Sequence, residues 1–237
     1  MNPGFAGLLL CLVVLLGGCA GTPKNPDDPW EGFNRGSFAF NDGLDRYVLK
    51  PVAEGYDAVT PTPVRAGVSN FFANLEDLWI GANNLLQGKP GQAASDVGRF
   101  LLNSTVGVFG LIDVASPMGL DKHNEDLGQT LAVWGVGDGP YVVLPVFGPR
   151  TLRDATTLGA ENWLLEVDLV GRVYPVRTRN SLRALRLVET RAAFLPAEKV
   201  LDQAALDKYN YLKSAYLQRR RNLVYDGKPP REEIPEE

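Results

Sequence analysis

A long amphipathic pattern in the first half of the chain limits the possible folds more than any other part of the sequence. Seven apolar side chains recur there at the spacing of an α-helix: Val64, Val68, Phe71, Leu75, Leu78, Ala82 and Leu85. Pro63 stands where a helix can begin and Gly88 where one can end. The pattern predicts a helix of about six turns. Such a stripe usually packs in a protein core, and it faces lipid only if the fold has a second apolar surface.

Two further helices are predicted on either side of this one. The face of the first consists of Phe33, Ser37, Phe40, Leu44 and Tyr47. Asp28 and Pro29 fit its cap and first turn, and Pro51 is expected to stop or kink it. The other helix covers residues 90–106, with one face made of Ala94, Val97, Phe100 or Leu101, and Ser104.

The character of the sequence changes after these helices. Residues 107–150 contain twelve Gly or Pro in 44 positions, which predicts short helices and loops. Residues 141–146 are the best strand candidate, and Pro145 restricts them to an edge strand or an extended segment. Further helices are predicted at 152–165, 176–194 and 196–223. The predicted fold class is mainly α, in a single domain with an irregular, Gly/Pro-rich central segment.

The first twenty residues indicate the compartment. Residues 5–16 are apolar, a stretch too short for the roughly 20 residues that cross a bilayer but typical of a signal peptide. The sequence Leu-Gly-Gly-Cys at 16–19 resembles the lipobox of bacterial lipoproteins, in which the cysteine sulfur takes a diacylglycerol before cleavage. Because residue 20 is Ala and not Asp, this resemblance implies sorting to the outer membrane. No Lys or Arg precedes the apolar stretch, and the alternative is a plain secreted protein in which Cys19 occurs by chance.

Cleavage before Cys19 would divide the chain into four parts. These are a signal peptide (1–18), an acylated Pro-rich tether (19–29), a helical domain (30–226) and an acidic tail (227–237) that we expect to be disordered. Two or three acyl chains on Cys19 would anchor the protein firmly, since each buried CH₂ contributes about 0.8 kcal/mol. We expect a covalent diacylglycerol and an N-acyl chain on Cys19 and no separate cofactor.

Charge and residue counts argue against several classes of function. The formal net charge of −4 argues against a protein that binds nucleic acid. His123 is the one histidine, and Cys11 and Cys19 are the two cysteines, which excludes disulfide scaffolds and Cys/His zinc sites; we expect no metal. Residues 172–221 hold 12 Lys/Arg and 4 Asp/Glu. This basic segment can face anionic headgroups, an acidic partner or simply solvent.

Catalytic motifs are weak or absent. The Gly-x-Ser-x-Gly elbow of common hydrolases does not occur, and the glycines at 135–139 lack the spacing of a dinucleotide-binding loop. His123 has two acids nearby, Glu125 and Asp126, but such acids are better explained as caps of the next helix, as is Asp113. We predict that the protein is not an enzyme. The enzymatic alternative, a lipid hydrolase anchored by Cys19, would depend on His123 as its base.

Many ordered segments along residues 28–154 resemble one family. The first is Asp-Pro-Trp-Glu-Gly-Phe-Asn-Arg at 28–35, and the others lie at 38–42, 50–53, 70–75, 84–88, 99–107, 110–115, 125–131, 134–137, 139–145, 148–149 and 152–154. Weaker similarity continues at 189–191 and 216–220. These segments resemble the MlaA (VacJ) lipoproteins, and so many of them in the same order make the resemblance specific.

The resemblance implies a helical, ring-like body in the outer membrane of a Gram-negative bacterium, lipid-anchored, facing the periplasm, and without a conventional transmembrane helix. It implies an amphipathic channel that removes misplaced phospholipids from the outer leaflet and maintains lipid asymmetry. The implied partners are phospholipids, the outer-membrane bilayer, trimeric porins, and a soluble periplasmic carrier linked to an inner-membrane ABC transporter. The alternative is a lipid-anchored scaffold that binds porins without transport, with a compact body that no cavity traverses.

A lipid channel needs a polar wall for the headgroup and an apolar wall for the acyl chains, because desolvating the headgroup is the main barrier to crossing. Asparagines beside apolar helix faces can supply such walls, and the predicted channel-proximal residues are Phe40, Asn41, Asn70, Phe71 and Asn74. We expect an apolar outer belt, to which part of the Phe and Leu stripe contributes. A gate is expected in the Gly-rich centre, since loops with many glycines open at low cost.

Overall fold

The computed structural model describes residues 28–161, 168–204 and 207–231. Its helices are α1 (Glu31–Leu44), α2 (Lys50–Val59), α3 (Thr62–Leu86), α4 (Pro90–Thr105), α5 (Leu127–Val133), α6 (Leu152–Gly159), α7 (Val176–Ala193), α8 (Leu195–Ala204) and α9 (Lys208–Val224). Two strands, β1 (Tyr141–Leu144) and β2 (Gly148–Thr151), form one antiparallel hairpin. The prediction of a mainly α fold is confirmed, as are long helices at the three amphipathic patterns.

Pro51 was expected to stop or kink the first helical pattern; the helix does not stop there, but its backbone departs from regular α geometry just before the proline. A π-helical turn, Asp45–Leu49, joins α1 directly to α2, and the Lys50 N–H bonds the Asp45 carbonyl five residues back. The wider turn provides room just before the proline, whose ring would collide with a carbonyl of a regular α-helix. The backbone therefore remains helical from Glu31 to Val59.

The hairpin confirms the strand predicted at 141–146 and adds a partner that the sequence did not indicate. Tyr141 pairs with Thr151 and Leu144 with Gly148. Pro145 lies in the turn, where its missing N–H costs no ladder bond, and Val146 and Gly148 have φ values of 71° and 78°. Both strands are short, four residues each.

The C-terminal helices match the predictions in part. α7 covers the helix predicted at 176–194, and α6 covers the start of the one predicted at 152–165, of which residues 162–165 lie outside the described part. The single helix predicted at 196–223 is wrong, because α8 and α9 are separate. Asp207 caps α9 by accepting the Asn210 N–H at 3.2 Å, which begins a new helix. The signal peptide and tether up to residue 27 and the tail from residue 232 lie outside the described residues.

Contacts between elements form a closed circuit. α1 packs on the hairpin, the hairpin on α9, α9 on α5, and α5 on α3. α3 then packs on α7, α7 on α2, and α2 returns to α1 through the π-helical turn. The family resemblance implies a ring-like body, and this circuit of contacts is compatible with it. α4 packs along α3 on one side of the circuit.

In α1, α3 and α4, the helices of the three amphipathic patterns, most of the fully buried side chains are polar. None of the seven residues of the predicted α3 stripe is buried, and the buried residues of α3 are Phe72, Asn74, Asp77, Ile80, Gly81, Asn83 and Asn84. The buried residues of α4 are Ala93, Asp96, Arg99 and Asn103, each one position before a residue of the predicted face or of its alternative. Only Val64 and Leu85 of the stripe are exposed and the other five residues are partly buried, so the stripe is not the fully buried core that was expected.

Helix α1 shows the same pattern. It buries Asn34 and Ser37, while Phe33 is 44% exposed and Phe40 is 55% exposed. Across the described residues, 18 polar or charged residues are buried against 11 apolar ones. No helix within the described ranges has both the length and the apolar character needed to cross a membrane. The fold thus presents apolar surface outward and holds a polar interior.

Candidate functional site

The polar interior is a network of ion pairs and amide hydrogen bonds. Asp77 on α3 is fully buried and accepts a hydrogen bond from Lys122, and Arg99 on α4 lies 3.5 Å away. Burial raises the pKa of Asp77, and the hydrogen bond and charge of Lys122 offset only part of that effect. Asp96 accepts a hydrogen bond from Asn84 at 2.7 Å and lies 2.7 Å from the His123 ring nitrogen. These contacts hold α3 to α4 and to the loop before α5.

Arg220 on α9 joins three parts of the circuit. Its guanidinium donates to both oxygens of Asp126 before α5 and to Asp154 on α6 at 2.9 Å. Arg220 is 8% exposed and Asp154 is 5% exposed. Burial by itself raises the pKa of Asp126, but the hydrogen bonds and charge of Arg220 outweigh it and hold that pKa below its ordinary value.

A polar cavity of about 340 Å³ lies inside the circuit. Residues of α3, α6, α7, α9 and the segment before α5 line it. Its charged lining residues are Glu76, Glu125, Asp126, Arg150, Asp154, Glu161, Arg186, Arg219 and Arg220. Burial raises the pKa values of Glu125 and Glu161, because the hydrogen bonds from Gln87 and from the Leu127 N–H only partly compensate for lost hydration. The cavity therefore offers charges of both signs to whatever enters it.

An apolar cavity of about 720 Å³ lies on the other side of an aromatic cluster. Tyr141, Tyr209 and Tyr216 form that cluster, with ring centroids 6.2–6.3 Å apart. Tyr216 lines the polar cavity and Tyr141 lines the apolar one. The apolar lining residues are Phe38, Tyr141, Val143, Pro149, Phe194, Ala197, Leu201, Tyr211 and Leu212. Its volume is within the range of about 300–1,000 Å³ that ligand-binding cavities occupy.

A charged vestibule of about 390 Å³ adjoins the apolar cavity. Its lining residues are Asp42, Asp45, Arg46, Lys50, Pro51, Glu54, Glu198 and Lys208. Arg191 donates to both oxygens of Asp45 at 2.6 and 2.7 Å and to Glu198 at 2.5 Å, and Lys50 donates to Glu198 at 2.9 Å. These pairs fasten α7 and α8 to the π-helical turn.

Asn41 is the predicted site residue that the structure places at a cavity. It lines the apolar cavity, and its amide donates to the Leu144 carbonyl at 3.0 Å and accepts from the Val146 N–H at 2.7 Å. Asn41 therefore fixes the hairpin turn against α1. Its neighbour Phe40 points to the exposed outer face of α1.

The other three predicted site residues lie together on α3, away from the three cavities. Asn70 donates to the Leu111 carbonyl at 3.2 Å, and Asn74 donates to the Ser104 hydroxyl at 2.8 Å. Phe71 packs edge-to-face on Phe72 with centroids 5.3 Å apart. These contacts brace the loop after α4, and a role for Asn70, Phe71 and Asn74 beside a channel stays a prediction. Cys19 lies outside the described residues.

Several polar residues have roles that the sequence did not indicate. Asp28 was predicted to be a helix cap, but it is buried and binds Asn34 at 2.8 Å, Lys213 at 3.1 Å and the Tyr209 hydroxyl. That cap is therefore wrong. The predicted cap at Asp126 is confirmed by the Gln129 N–H. Asp113 accepts the Ser116 N–H at 3.1 Å, but the N-cap of the 3₁₀ turn at Ser116–Met118 is Ala115, so the predicted cap at Asp113 is wrong. The weaker similarities at 189–191 and 216–220 contain Arg191 and Arg220, and they were the available signal for both networks.

The described residues contain no group of three His, Cys, Asp or Glu side chains placed to hold a metal. His123 is paired with Asp96 rather than with Glu125 or Asp126.

Comparisons with known protein sequences and structures all match one family. The family model for the MlaA lipoprotein matches residues 26–223. Two relatives are named intermembrane phospholipid transport system lipoprotein MlaA. The protein from Escherichia coli K12 is 37% identical to this chain, over 93% of this chain and 89% of the relative. The protein from Haemophilus influenzae is 32% identical, over 92% of this chain and 90% of the relative. A solved structure described as "Structural basis for maintenance of bacterial outer membrane lipid asymmetry" superposes with a TM-score of 0.70 at 36% identity, covering 83% of this chain and 98% of that one.

Proposed function

Because this chain belongs to the MlaA lipoprotein family, we propose that it transports phospholipids between the two membranes of a Gram-negative envelope and so maintains the lipid asymmetry of the outer membrane. The observation that carries this proposal is the polar interior along α1, α3 and α4, in which carboxylates, guanidiniums and amides are buried while large apolar side chains such as Phe40, Leu85 and Leu101 are exposed. An apolar exterior is stable in hydrocarbon, and a polar interior lets a headgroup pass without losing all its hydrogen bonds.

The interior supports passage of an amphiphile. The polar cavity can solvate a phosphate and an amine with its arginines and carboxylates, and the apolar cavity can take acyl chains. Misplaced phospholipids would then leave the outer leaflet through this protein and pass to a soluble periplasmic carrier connected to an inner-membrane ABC transporter. Trimeric porins are the proposed neighbours in the membrane. Acyl chains on Cys19 would hold the body at the outer membrane, and transport of this kind requires no covalent chemistry.

The test measures phospholipid in the outer leaflet, by its accessibility to phospholipase added outside the cells. Cells that lack the protein should accumulate phospholipid there, and the wild-type gene should reverse this. Leu223→Trp narrows the polar cavity and should restore lipid asymmetry only in part. Asn222 is an exposed neighbour on α9 that does not line this cavity, so Asn222→Trp should restore asymmetry fully. Equal restoration by both variants at equal protein level would favour a scaffold that binds porins without transport.

Two variants test the remaining alternatives in the same assay. Cys19→Ser should release the protein from the membrane and abolish restoration together; a soluble form that still restores asymmetry contradicts a membrane-embedded mechanism. His123→Ala should restore asymmetry, since His123 contacts Asp96 and lines none of the three cavities. Loss of restoration with normal folding would support the hydrolase instead.

A further inference from the structure

The apolar cavity and the charged vestibule share four side chains and form one composite site. The shared residues are Asp42, Asp45, Glu198 and Lys208. On one side of them lie Phe38, Phe194 and Leu212, and on the other lie Arg46 and Lys50. A compartment for hydrocarbon that meets a compartment of ionised groups is complementary to one kind of ligand, an amphiphile with a charged headgroup.

The charges around this junction balance. The carboxylates are Asp42, Asp45, Glu54 and Glu198, and the cations are Arg46, Lys50, Arg191 and Lys208. An anionic headgroup entering here would be attracted to the cations but would face an equal number of carboxylates at close range. A zwitterionic headgroup brings an ammonium group as well as a phosphate, and can satisfy both signs.

Glu198 is the carboxylate that a bound headgroup would have to compensate. It accepts hydrogen bonds from both Arg191 and Lys50, two of the four cations at the junction. Burial raises the pKa of Glu198, but the hydrogen bonds from Arg191 and Lys50 outweigh this and keep its pKa below the ordinary value, which leaves it ionised. A phosphate that drew Arg191 or Lys50 away would leave this half-buried carboxylate without its partner. An ammonium group on the same ligand replaces that partner, whereas a neutral glycerol headgroup does not.

We propose that the apolar cavity and vestibule bind a zwitterionic phospholipid in preference to an anionic one, with an acyl chain in the cavity and Glu198 as the residue that determines headgroup preference. This inference rests on the proposed function for the identity of the ligand as a phospholipid. Headgroup preference at this junction is separate from whether lipid crosses the protein.

The experiment places a fluorescent reporter in the cavity. Phe194 lines the cavity, and Phe194→Trp in the full-length, detergent-solubilised protein is titrated with phosphatidylethanolamine or phosphatidylglycerol whose acyl chains carry bromine, a contact quencher. The native protein, with its four tryptophans, provides the baseline. Phosphatidylethanolamine should quench the reporter at lower concentration. Glu198→Gln in the reporter background should shift the ratio of the two half-quenching concentrations toward phosphatidylglycerol by about fivefold, the ratio that corresponds to roughly 1 kcal/mol per charge near a headgroup.

Matched variants separate cavity binding from general contact with detergent and lipid. Ala197→Phe fills the apolar cavity and should reduce quenching by both lipids, whereas Ala193→Phe, four residues earlier and outside the cavity, should not. Circular dichroism confirms that each variant is folded. Equal quenching by the two lipids, or an unchanged ratio in Glu198→Gln, overturns the headgroup preference. If Ala197→Phe does not reduce quenching, the lipid does not bind in the apolar cavity and the proposed site is wrong. Failure of the proposed function is seen separately, as unchanged outer-leaflet phospholipid in cells that lack the protein.

Discussion

Replacing Arg220 by Met should destabilise the protein more than any neighbouring substitution on α9. Arg220 is buried, and its guanidinium is the cation between Asp126 and Asp154. Methionine keeps much of the side chain's length and apolar contact but removes all the donors. The variant therefore leaves two carboxylates facing each other across the space between α5, α6 and α9.

The magnitude follows from how much water reaches each carboxylate. Breaking a buried ion pair by removing one partner costs about 3–5 kcal/mol. Asp154 is 5% exposed, whereas 40% of the Asp126 side chain is exposed and water can compensate it in part. We therefore expect the lower end, a loss of about 3 kcal/mol in the free energy of unfolding. For a chain of this size, that corresponds to a fall in Tm of roughly 6–12 °C.

The loss of stability at low pH should be smaller in the variant than in the wild type. In the wild type the folded pKa of Asp126 lies below its unfolded value, so its stabilising contribution is present above about pH 4 and is lost as the pH falls through the folded pKa. In Arg220→Met the hydrogen bond from the Gln129 N–H remains but those of Arg220 are lost, so burial raises the pKa of Asp126 relative to the wild type and acid costs the folded variant less stability. The difference in Tm between wild type and variant should therefore narrow as the pH is lowered from 7 to 4.

The assay is thermal unfolding followed by circular dichroism in one detergent, at several pH values. Arg219→Met is the control, because Arg219 is the adjacent residue and is exposed, and it should stay within about 0.5 kcal/mol of the wild type. Two results would contradict a stabilising role for the Arg220 network. One is the same unfolding temperature for Arg220→Met and Arg219→Met. The other is a difference in Tm between wild type and Arg220→Met that grows as the pH is lowered.

Three further substitutions test the interior. Gly128→Ala should lower the free energy of unfolding by about 1–3 kcal/mol, because the new Cβ would lie 2.3 Å from the Arg220 guanidinium. Gly91→Ala is the control: its Cβ would meet open space, and alanine should stabilise the helix by up to about 1 kcal/mol. Equal unfolding temperatures of the two variants would refute the clash. Asn103→Ala should lower the free energy of unfolding by about 1–3 kcal/mol, since the side-chain oxygen of Asn103 accepts two consecutive backbone N–H groups at 2.9 and 3.0 Å. Thermal unfolding measures this loss of stability. Asn34→Ala should accelerate amide exchange in β1, because Asn34 holds both a carbonyl and an N–H of that strand, and unchanged protection would contradict this.

The helices could be predicted because their periodicity is a local property of the sequence. The patterns at Phe33–Tyr47, 64–85 and 90–106 each correspond to a helix, and the strand before Pro145 was found for the same reason. Boundaries failed where a tertiary contact or a special turn decides them. The π-helical turn carries the chain past Pro51, and the cap at Asp207 divides a helix that looks continuous in the sequence.

The candidate site was accessible to prediction only in part. Asn41 was identified and lines the apolar cavity. The Arg191–Asp45 pair and the two pairs of Arg220 join residues more than 60 positions apart, and no local spacing brings such partners together. Asp28 illustrates the same limit, since its position before a helix predicts a cap while its actual partners include Tyr209 and Lys213 near the other end of the chain.

The sequence alone determined that the chain is mainly helical, that it resembles one lipoprotein family, and which residues share each helix face. Only the tertiary structure decided which face points inward. Periodicity separates an apolar side from a polar side, but whether the apolar side packs against protein or remains outside depends on what covers it. In this chain the packing of α3 and α4 buries Asp77, Asp96 and Arg99 and leaves Leu101 exposed. The buried charges are compensated because they are paired with one another, and under the proposed function the exposed apolar faces contact hydrocarbon instead of water.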